Sequence, residues 1–482
     1  MRIIALAICI VAWALPAWAG STGSGSRSIN APKAYNVLMI WWDDVGQYQL
    51  PDVYQTGNDR DDDYVATPNL AALAAAGVTL NNFWTTPRCG PGRAMAMTAR
   101  YGARTGVFGF GGTNLRTAEL TIPKALDYAF PGKYEKAWFG KGGMSDDSIT
   151  GDDYYKVSGV YGFELFMGNY GAAVGDYISW DEITVTATST ALGDITPDPT
   201  TPETDTTYLT DYTTDSCEAW WAGLADPNAP WFAWVSYNSP HTPVHDPADA
   251  RTPIEGGGSE CNLGTQELCY QAMIEDVDAE LGELLTTIAA DIPDTLIIVC
   301  GDNGAAAGFG GGGKGTTKET GINVGCVIGG GAVAAGGRES DDLFSMADLL
   351  PTALAAAGRT GNVPRSHPYD PTNTEYAGQE RIQDGISMWP MIRNDSAGSW
   401  GHEFVISQNS ALVFMARWST NDYKLTRTYD SEGAVVSDVL HLLPTETGNL
   451  NDGDMTAPEQ TALTALQGEI VRVVASVNED RS

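Results

Sequence analysis

Positive charge is what this chain of 482 residues has least of. Its 27 lysines and arginines stand against 61 aspartates and glutamates, for a formal charge of −34. Nucleic acids and anionic membrane surfaces attract cationic proteins, so this balance argues against both as partners. It also means that an anionic substrate needs a local basic pocket inside a repulsive field. Long apolar runs are scarce too. After residue 19 no stretch is long and apolar enough to cross a bilayer, so no membrane anchor is expected there. Internal repeats are absent.

What is present begins with "MRIIALAICIVAWALPAWA" (1–19). Arg2 opens it, an apolar run follows, and Ala17-Trp18-Ala19 offers small residues for cleavage before Gly20. A signal peptide and an exported, soluble protein are therefore expected, periplasmic or secreted. Of seven cysteines, Cys9 would leave with that segment. In an oxidising compartment Cys261 and Cys269 are close enough in sequence to close a short disulfide loop. Cys300 and Cys326 sit in or at the end of apolar runs and read as buried thiols.

"YNVLMIWW" (35–42) is a continuous apolar run that ends in two aspartates, as a buried central strand does. "YEKAWFGK" (134–141), "WFAWVSYNSPH" (231–241) and "DTLIIVCGDNG" (294–304) repeat the pattern. "TPNLAALAAAG" (67–77) reads as a helix capped by Thr67, with Pro68 in its first turn and Gly77 as its stop. Further helices are expected over 208–224 and 265–289. Strands alternating with helices imply an α/β fold: a large mixed, mainly parallel sheet sandwiched by helices. Residues 190–207, 304–315 and 360–383 read as loops. "NDRDDD" (58–63) reads as a solvated loop, with a second metal or substrate contact as the alternative. Beyond residue 401, short segments such as "LVFMARW" suggest a small antiparallel sheet, closed by a helix near 456–477. The expected organisation is a signal peptide over 1–19, a catalytic domain over 30–400 and an α+β subdomain over 401–482.

In sheets of this kind function gathers at the carboxyl ends of the strands. Asp43 and Asp44 follow the first apolar run, and Asp302 and Asn303 follow "LIIVCG". Three carboxylates and an amide oxygen are hard ligands, suited to Ca2+ or Mg2+ rather than zinc. Cys89 lies ahead of a proline, an arginine and what looks like a helix start. A thiolate is soft and fits such a metal poorly, a conflict that disappears if an oxygen function replaces the sulfur.

"Cys89-Gly90-Pro91-Gly92-Arg93", followed by "AMAMTARYGARTG", resembles the signature of the formylglycine-dependent sulfatases of the alkaline phosphatase superfamily. In that family the cysteine of C-x-P-x-R is oxidised to an aldehyde by a formylglycine-generating enzyme. "SPHTP" (239–243), "GKGTT" (313–317), "ADLLPTALAAAG" (347–358), "DGISMWPMI" (384–392) and "LPTETGNLND" (443–452) resemble later family segments, in the expected order. The resemblance implies an alkaline-phosphatase-like fold and hydrolysis of a sulfate ester of a small molecule or glycan. It also implies Asp43, Asp44, Asp302, Asn303 and the modified Cys89 around Ca2+, favoured over Mg2+. Arg93 would hold the modified side chain and the metal carboxylates, Lys141 and Lys314 would bind sulfate oxygens, and His241 would serve the leaving-group oxygen.

Two positions depart from the family pattern. Gly143 stands in "FGKGGM" where a histidine is usual, and Gly92 stands where serine is common. The missing histidine would normally help release sulfate, and His245, His367 and His402 are the imidazoles that remain to consider. Two other readings follow: a phosphonate or phosphate monoester hydrolase of the same superfamily, and a sulfated-glycan binding protein without turnover.

Overall fold

A computed structural model describes residues 33–481 apart from 55–64, 109–114, 117–118, 145–160, 189–195, 201, 248–265, 310, 360–365, 369–379, 396–399, 411, 420–422 and 444–454. The expected signal peptide, the 58–63 loop, Cys261 and nearly all of the 443–452 segment lie outside the described residues.

β1 (Asn36–Trp42) is buried along its whole length. Val37, Met39 and Trp41 enter one core, while Leu38, Ile40 and Trp42 enter another. Alternation between two apolar environments is possible only for a strand covered on both faces. β2 (Val78–Trp84), β3 (Glu135–Gly140), β4 (Leu165–Gly168), β5 (Trp180–Thr188), β6 (Thr196–Pro199), β7 (Glu203–Asp205), β8 (Trp231–Ser236), β9 (Thr295–Gly301), β10 (Cys326–Gly329) and β11 (Arg338–Ser345) complete an 11-stranded sheet. Its order is β11-β2-β10-β9-β1-β8-β3-β4-β5-β6, with β7 paired to β5. The centre, β9-β1-β8-β3-β4, is parallel. The pairings of β10 with β9 and β2, and of β5 with β4, β6 and β7, are antiparallel. The mixed α/β architecture expected from the alternating runs is therefore the observed one.

Helices cover both faces. Leu209–Ala222 and Gln266–Thr287 supply Cys217, Tyr270, Ile274, Val277 and Leu281 to one core. Cys89–Thr98, Leu349–Ala356 and Ala457–Arg481 supply the other, through residues such as Met95, Leu350 and Leu466. The expected helix over 67–77 forms as Pro68–Ala76, but its cap differs. Thr67 occupies the cap position without a side-chain cap bond. Asp278 of the Gln266–Thr287 helix takes that role, accepting the Asn69 and Leu70 N–H groups at 2.9 and 2.8 Å. A carboxylate from a neighbouring helix thus satisfies donors that the local sequence leaves open.

Two expected loops contain strands. Residues 190–207 include β6 and β7, whose partner β5 supplies the backbone ladder that the Pro- and Thr-rich composition hides. Residues 360–383 include the antiparallel pair β12 (Ser366–Pro368) and β13 (Glu380–Ile382). The chain after 401 forms the antiparallel sheet β14 (Phe404–Ser410), β15 (Val413–Trp418), β16 (Tyr423–Tyr429) and β17 (Val435–Leu442), as its short segments suggest. Cys300 and Cys326 are buried, free and opposite one another on β9 and β10. Cys269 is disulfide-bonded. No helix among the described residues is long and apolar enough to cross a membrane.

Candidate metal and sulfate centre

Adjacent parallel strands end side by side, which delivers their first polar residues to one place. β1 ends in Asp43 and Asp44, and β9, its neighbour, ends in Asp302 and Asn303. All four are buried, at 1% exposure or less. Asp44 adopts φ 65, a left-handed turn that aspartate tolerates better than most residues. That turn directs its N–H to Asp302 Oδ1 at 3.1 Å and its carbonyl to Tyr270 Oη at 2.6 Å.

Cys89 is the first residue of its helix. The helix end carries unsatisfied N–H groups and partial positive charge, which suits an anion. One turn in, Arg93 is fully buried. Its Nε donates to Asp302 Oδ2 at 2.8 Å and its Nη1 to Ser236 Oγ at the end of β8. Burial opposes its charge, but Asp302, Asp43 and Cys89 together raise the guanidinium pKa. Gly92 is explained here: a Cβ would stand 2.7 Å from Thr85 Oγ1 and 2.8 Å from the Asp302 carbonyl. The usual serine would push this helix away from β9.

Lys141, just past the end of β3, pairs with Asp43 through its Nζ, and both side chains are fully buried. Lys314 is presented by the glycine-rich turn, where its N–H bonds the Ala305 carbonyl at 2.9 Å. Its Nζ lies 2.5 Å from Asp44 Oδ1. Burial opposes that charge also, yet Asp44, Cys89 and Asp43 push the ammonium pKa up. The carboxyl of Asp302 moves up, because burial and Asp43 outweigh Arg93, Lys141 and Lys314. His241 Nδ1 lies 2.8 Å from the Thr242 carbonyl, an acceptor only, so Nδ1 carries the proton and donates. Its Nε2 lies 3.9 Å from Asp44 Oδ2.

All nine site residues expected from sequence thus meet at one end of the sheet. Ligand atoms of Asp43, Cys89 and Asp302 lie within 4.8 Å of one another, as do those of Asp43, Asp44 and His241. Asp43 Oδ1 and Asn303 Oδ1 are buried without a hydrogen-bond partner. Orphaned oxygens on hard donors are what an oxygen-seeking cation would satisfy, so the residues fit Ca2+. The sulfur of Cys89 in the same cluster is the single soft atom.

Gly143 has φ 62, and a Cβ there would stand 3.0 Å from Lys141 Cε. His245 and His402 do not replace the missing histidine. His245 Nε2 bonds Tyr208 Oη at 3.0 Å and the ring lies 4.4 Å from that of Tyr177, where burial lowers its pKa. His402 Nε2 bonds Asp348 Oδ1 at 2.7 Å. The side chain of His367 lies outside the described residues.

Sequence reading missed Ser236 and Tyr270. Ser236, a polar residue closing an apolar run, carried the same signal as Asp43. Tyr270 carried none, because its contact with Asp44 crosses from a separate helix.

A sulfatase family model matches residues 35–359. The chain is 25% identical to the uncharacterized sulfatase YdeN of Escherichia coli over 314 residues, covering 56% of this chain and 52% of that protein. It is 25% identical to human N-acetylgalactosamine-6-sulfatase over 376 residues, covering 70% and 64%. It therefore spans less than two thirds of these relatives. Among solved structures, BT4656 in complex with D-glucosamine-2-N,6-O-disulfate superposes with a TM-score of 0.67 at 16% identity, covering 93% of this chain and 99% of that one. The PsFucS1 sulfatase from Pseudoalteromonas sp. gives 0.64 at 18% identity, covering 91% and 90%. The family match spans the very segment that carries the Asp43–Asp44 and Asp302–Asn303 pairs, Cys89, both lysines and His241, and the chain belongs to the sulfatase family.

Proposed function

We propose that this protein is an exported sulfatase that hydrolyses a sulfate ester, R–O–SO3−, to R–OH and sulfate. The observation that supports it most is the buried cluster of Cys89, Asp43 and Asp302. Cys89, converted to a formylglycine hydrate by a formylglycine-generating enzyme, would offer one hydroxyl to attack sulfur and a second to expel sulfate. A calcium ion held by Asp43, Asp44, Asp302, Asn303 and that hydrate would acidify the attacking hydroxyl and polarise the sulfate. Arg93 fixes Asp302 and, through Ser236, the end of β8. Lys141 and Lys314, held at the centre by Asp43 and Asp44, would take sulfate oxygens and balance charge gained in the transition state. They form the local basic pocket that the overall charge of the chain lacks. His241, its Nδ1–H held by the Thr242 carbonyl, would donate to the leaving oxygen from Nε2 once that nitrogen, near Asp44, is protonated as well.

The name of human N-acetylgalactosamine-6-sulfatase and the glucosamine disulfate bound by BT4656 point toward a sulfated carbohydrate. Acidic surface and the leader-like segment support a periplasmic or secreted location. Asn303 after Asp302 favours sulfate over phosphate and phosphonate monoesters. Gly143 favours one other reading, a sulfated-glycan binder without turnover. Rates on nitrophenyl sulfate and nitrophenyl phosphonate, for the native protein and for Cys89→Ala, separate the three. Sulfate preference abolished by Cys89→Ala is expected. Phosphonate preference, sulfate turnover that survives the substitution, or no turnover at all would overturn the proposal.

A further inference from the structure

Beside the centre lies a cavity of about 340 Å3, lined among others by Asn169, Tyr170, Val174, Ser179, Trp180 and Asp181. Backbone contacts tie it to the site. The Gly142 N–H donates to the Asn169 carbonyl at 2.8 Å, and the Gly143 N–H to the Tyr170 carbonyl at 3.4 Å. The Gly143 carbonyl in turn lies 3.1 Å from where a Cβ on Gly90, next to Cys89, would stand. On the far side Tyr177, from the same segment, donates to the carbonyls of Asn238 and His241 at 2.9 and 2.7 Å. The cavity wall is thus hung between the segment that carries Lys141 and the one that carries His241.

Its chemistry differs from that of the centre. Asn169 is 4% exposed, and its Oδ1 has no hydrogen-bond partner. Asp181 adds an exposed carboxylate, and Ser179 a hydroxyl. The described lining residues include no lysine or arginine. Trp180, which also lines the cavity, has its Nε1 donor already engaged with the Thr207 carbonyl at 2.9 Å. Acceptor oxygens beside aromatic carbon suit a ligand rich in hydroxyl donors and C–H faces. An anionic unit would meet a carboxylate with no lysine or arginine among the described lining residues to offset it. The volume lies near the lower end of the roughly 300–1,000 Å3 usual for ligand pockets, enough for a ring-sized unit.

Resting on the sulfatase reading, we infer that this cavity is a second subsite, which binds the neutral sugar linked to the sulfated unit. The substrate class is then an oligosaccharide in which a sulfated sugar neighbours an uncharged one. Asn169 and Asp181 accept hydroxyls of that neighbour and set selectivity, without touching the reacting sulfate.

The test compares kcat/KM for nitrophenyl sulfate and for two matched monosulfated disaccharides, one with a neutral partner sugar and one with a uronate partner. Native protein, Asp181→Lys and Asn169→Ala are measured. Asp181 is exposed, so its variant keeps the fold whatever Asn169→Ala does. Loss of a charged hydrogen-bond acceptor shifts binding by about tenfold or more. The native protein is expected to favour the neutral-partner disaccharide, and Asp181→Lys to lower that preference at least about tenfold, mainly through KM. Equal rates on both disaccharides, or an unchanged ratio in Asp181→Lys, would overturn the subsite while nitrophenyl sulfate turnover leaves the sulfatase reading standing. No sulfate release from any of the three substrates would overturn both.

Discussion

Restoring the family's usual histidine at position 143 should damage this protein. The peptide at Gly143 lies in the left-handed region at φ 62, where a side chain costs about 1–2 kcal/mol. The new Cβ would stand 3.0 Å from Lys141 Cε, tight enough that the lysine must shift by a few tenths of an ångström. Lys141 cannot yield by swinging into water, since its side chain is fully buried and paired with Asp43. An off-rotamer lysine adds about 0.5–1.5 kcal/mol. Gly143→His should therefore lose roughly 2–3 kcal/mol of stability, read as a lower midpoint in denaturant unfolding with unchanged slope. Moving the Lys141 ammonium should also lower kcat, by about a hundredfold if its contact with the transition state is lost. Urea unfolding and nitrophenyl sulfate kinetics on the same preparation measure both. A variant that is as stable as the native protein and turns over faster would refute this reasoning. It would mean that the histidine is simply missing and the glycine geometry adapts to it.

Three other outcomes are expected. Gly92→Ser should destabilise by about 1–3 kcal/mol, because the added carbon meets the Asp302 carbonyl at 2.8 Å; unfolding midpoints check it. Calcium at 100 times its dissociation constant should stabilise the native protein by about 2.7 kcal/mol, and Asp302→Ala should lose that gain in a thermal-shift titration. Asp278 is a carboxyl whose pKa rises to about 6, because burial outweighs the bonds from Asn69 and Leu70. Raised above its unfolded value, it favours the folded state most below pH about 4, and that contribution is lost as pH rises through about 6. Asp278→Asn should flatten the pH dependence of stability across that window.

Much of the site was legible because one physical rule produces it. A strand buried on both faces must be apolar until it leaves the sheet, so the first polar residues after "LMIWW" and "LIIVC" mark the sheet's working edge. Asp43, Asp44, Asp302 and Asn303 stand out for that reason. Cys89 and Arg93 stand out because a helix start, a proline and an arginine crowd one cysteine. Partners supplied from far along the chain were not legible. Asp278 caps a helix some 200 residues earlier, and Tyr270 bonds the Asp44 carbonyl from a separate helix. β6 and β7 hide in a Pro- and Thr-rich stretch, since β5 rather than local propensity holds them. The position of Gly92 was visible but its reason was not, because close helix–strand approach leaves no trace in one segment alone.

The central claim is that oxygen has replaced the sulfur of Cys89 among hard donors. Mass spectrometry of the peptide containing Cys89, taken from protein made in its native host and shown to release sulfate, tests it most directly. An aldehyde or its hydrate at that residue is the expected result; an intact thiol in turnover-competent protein would contradict it.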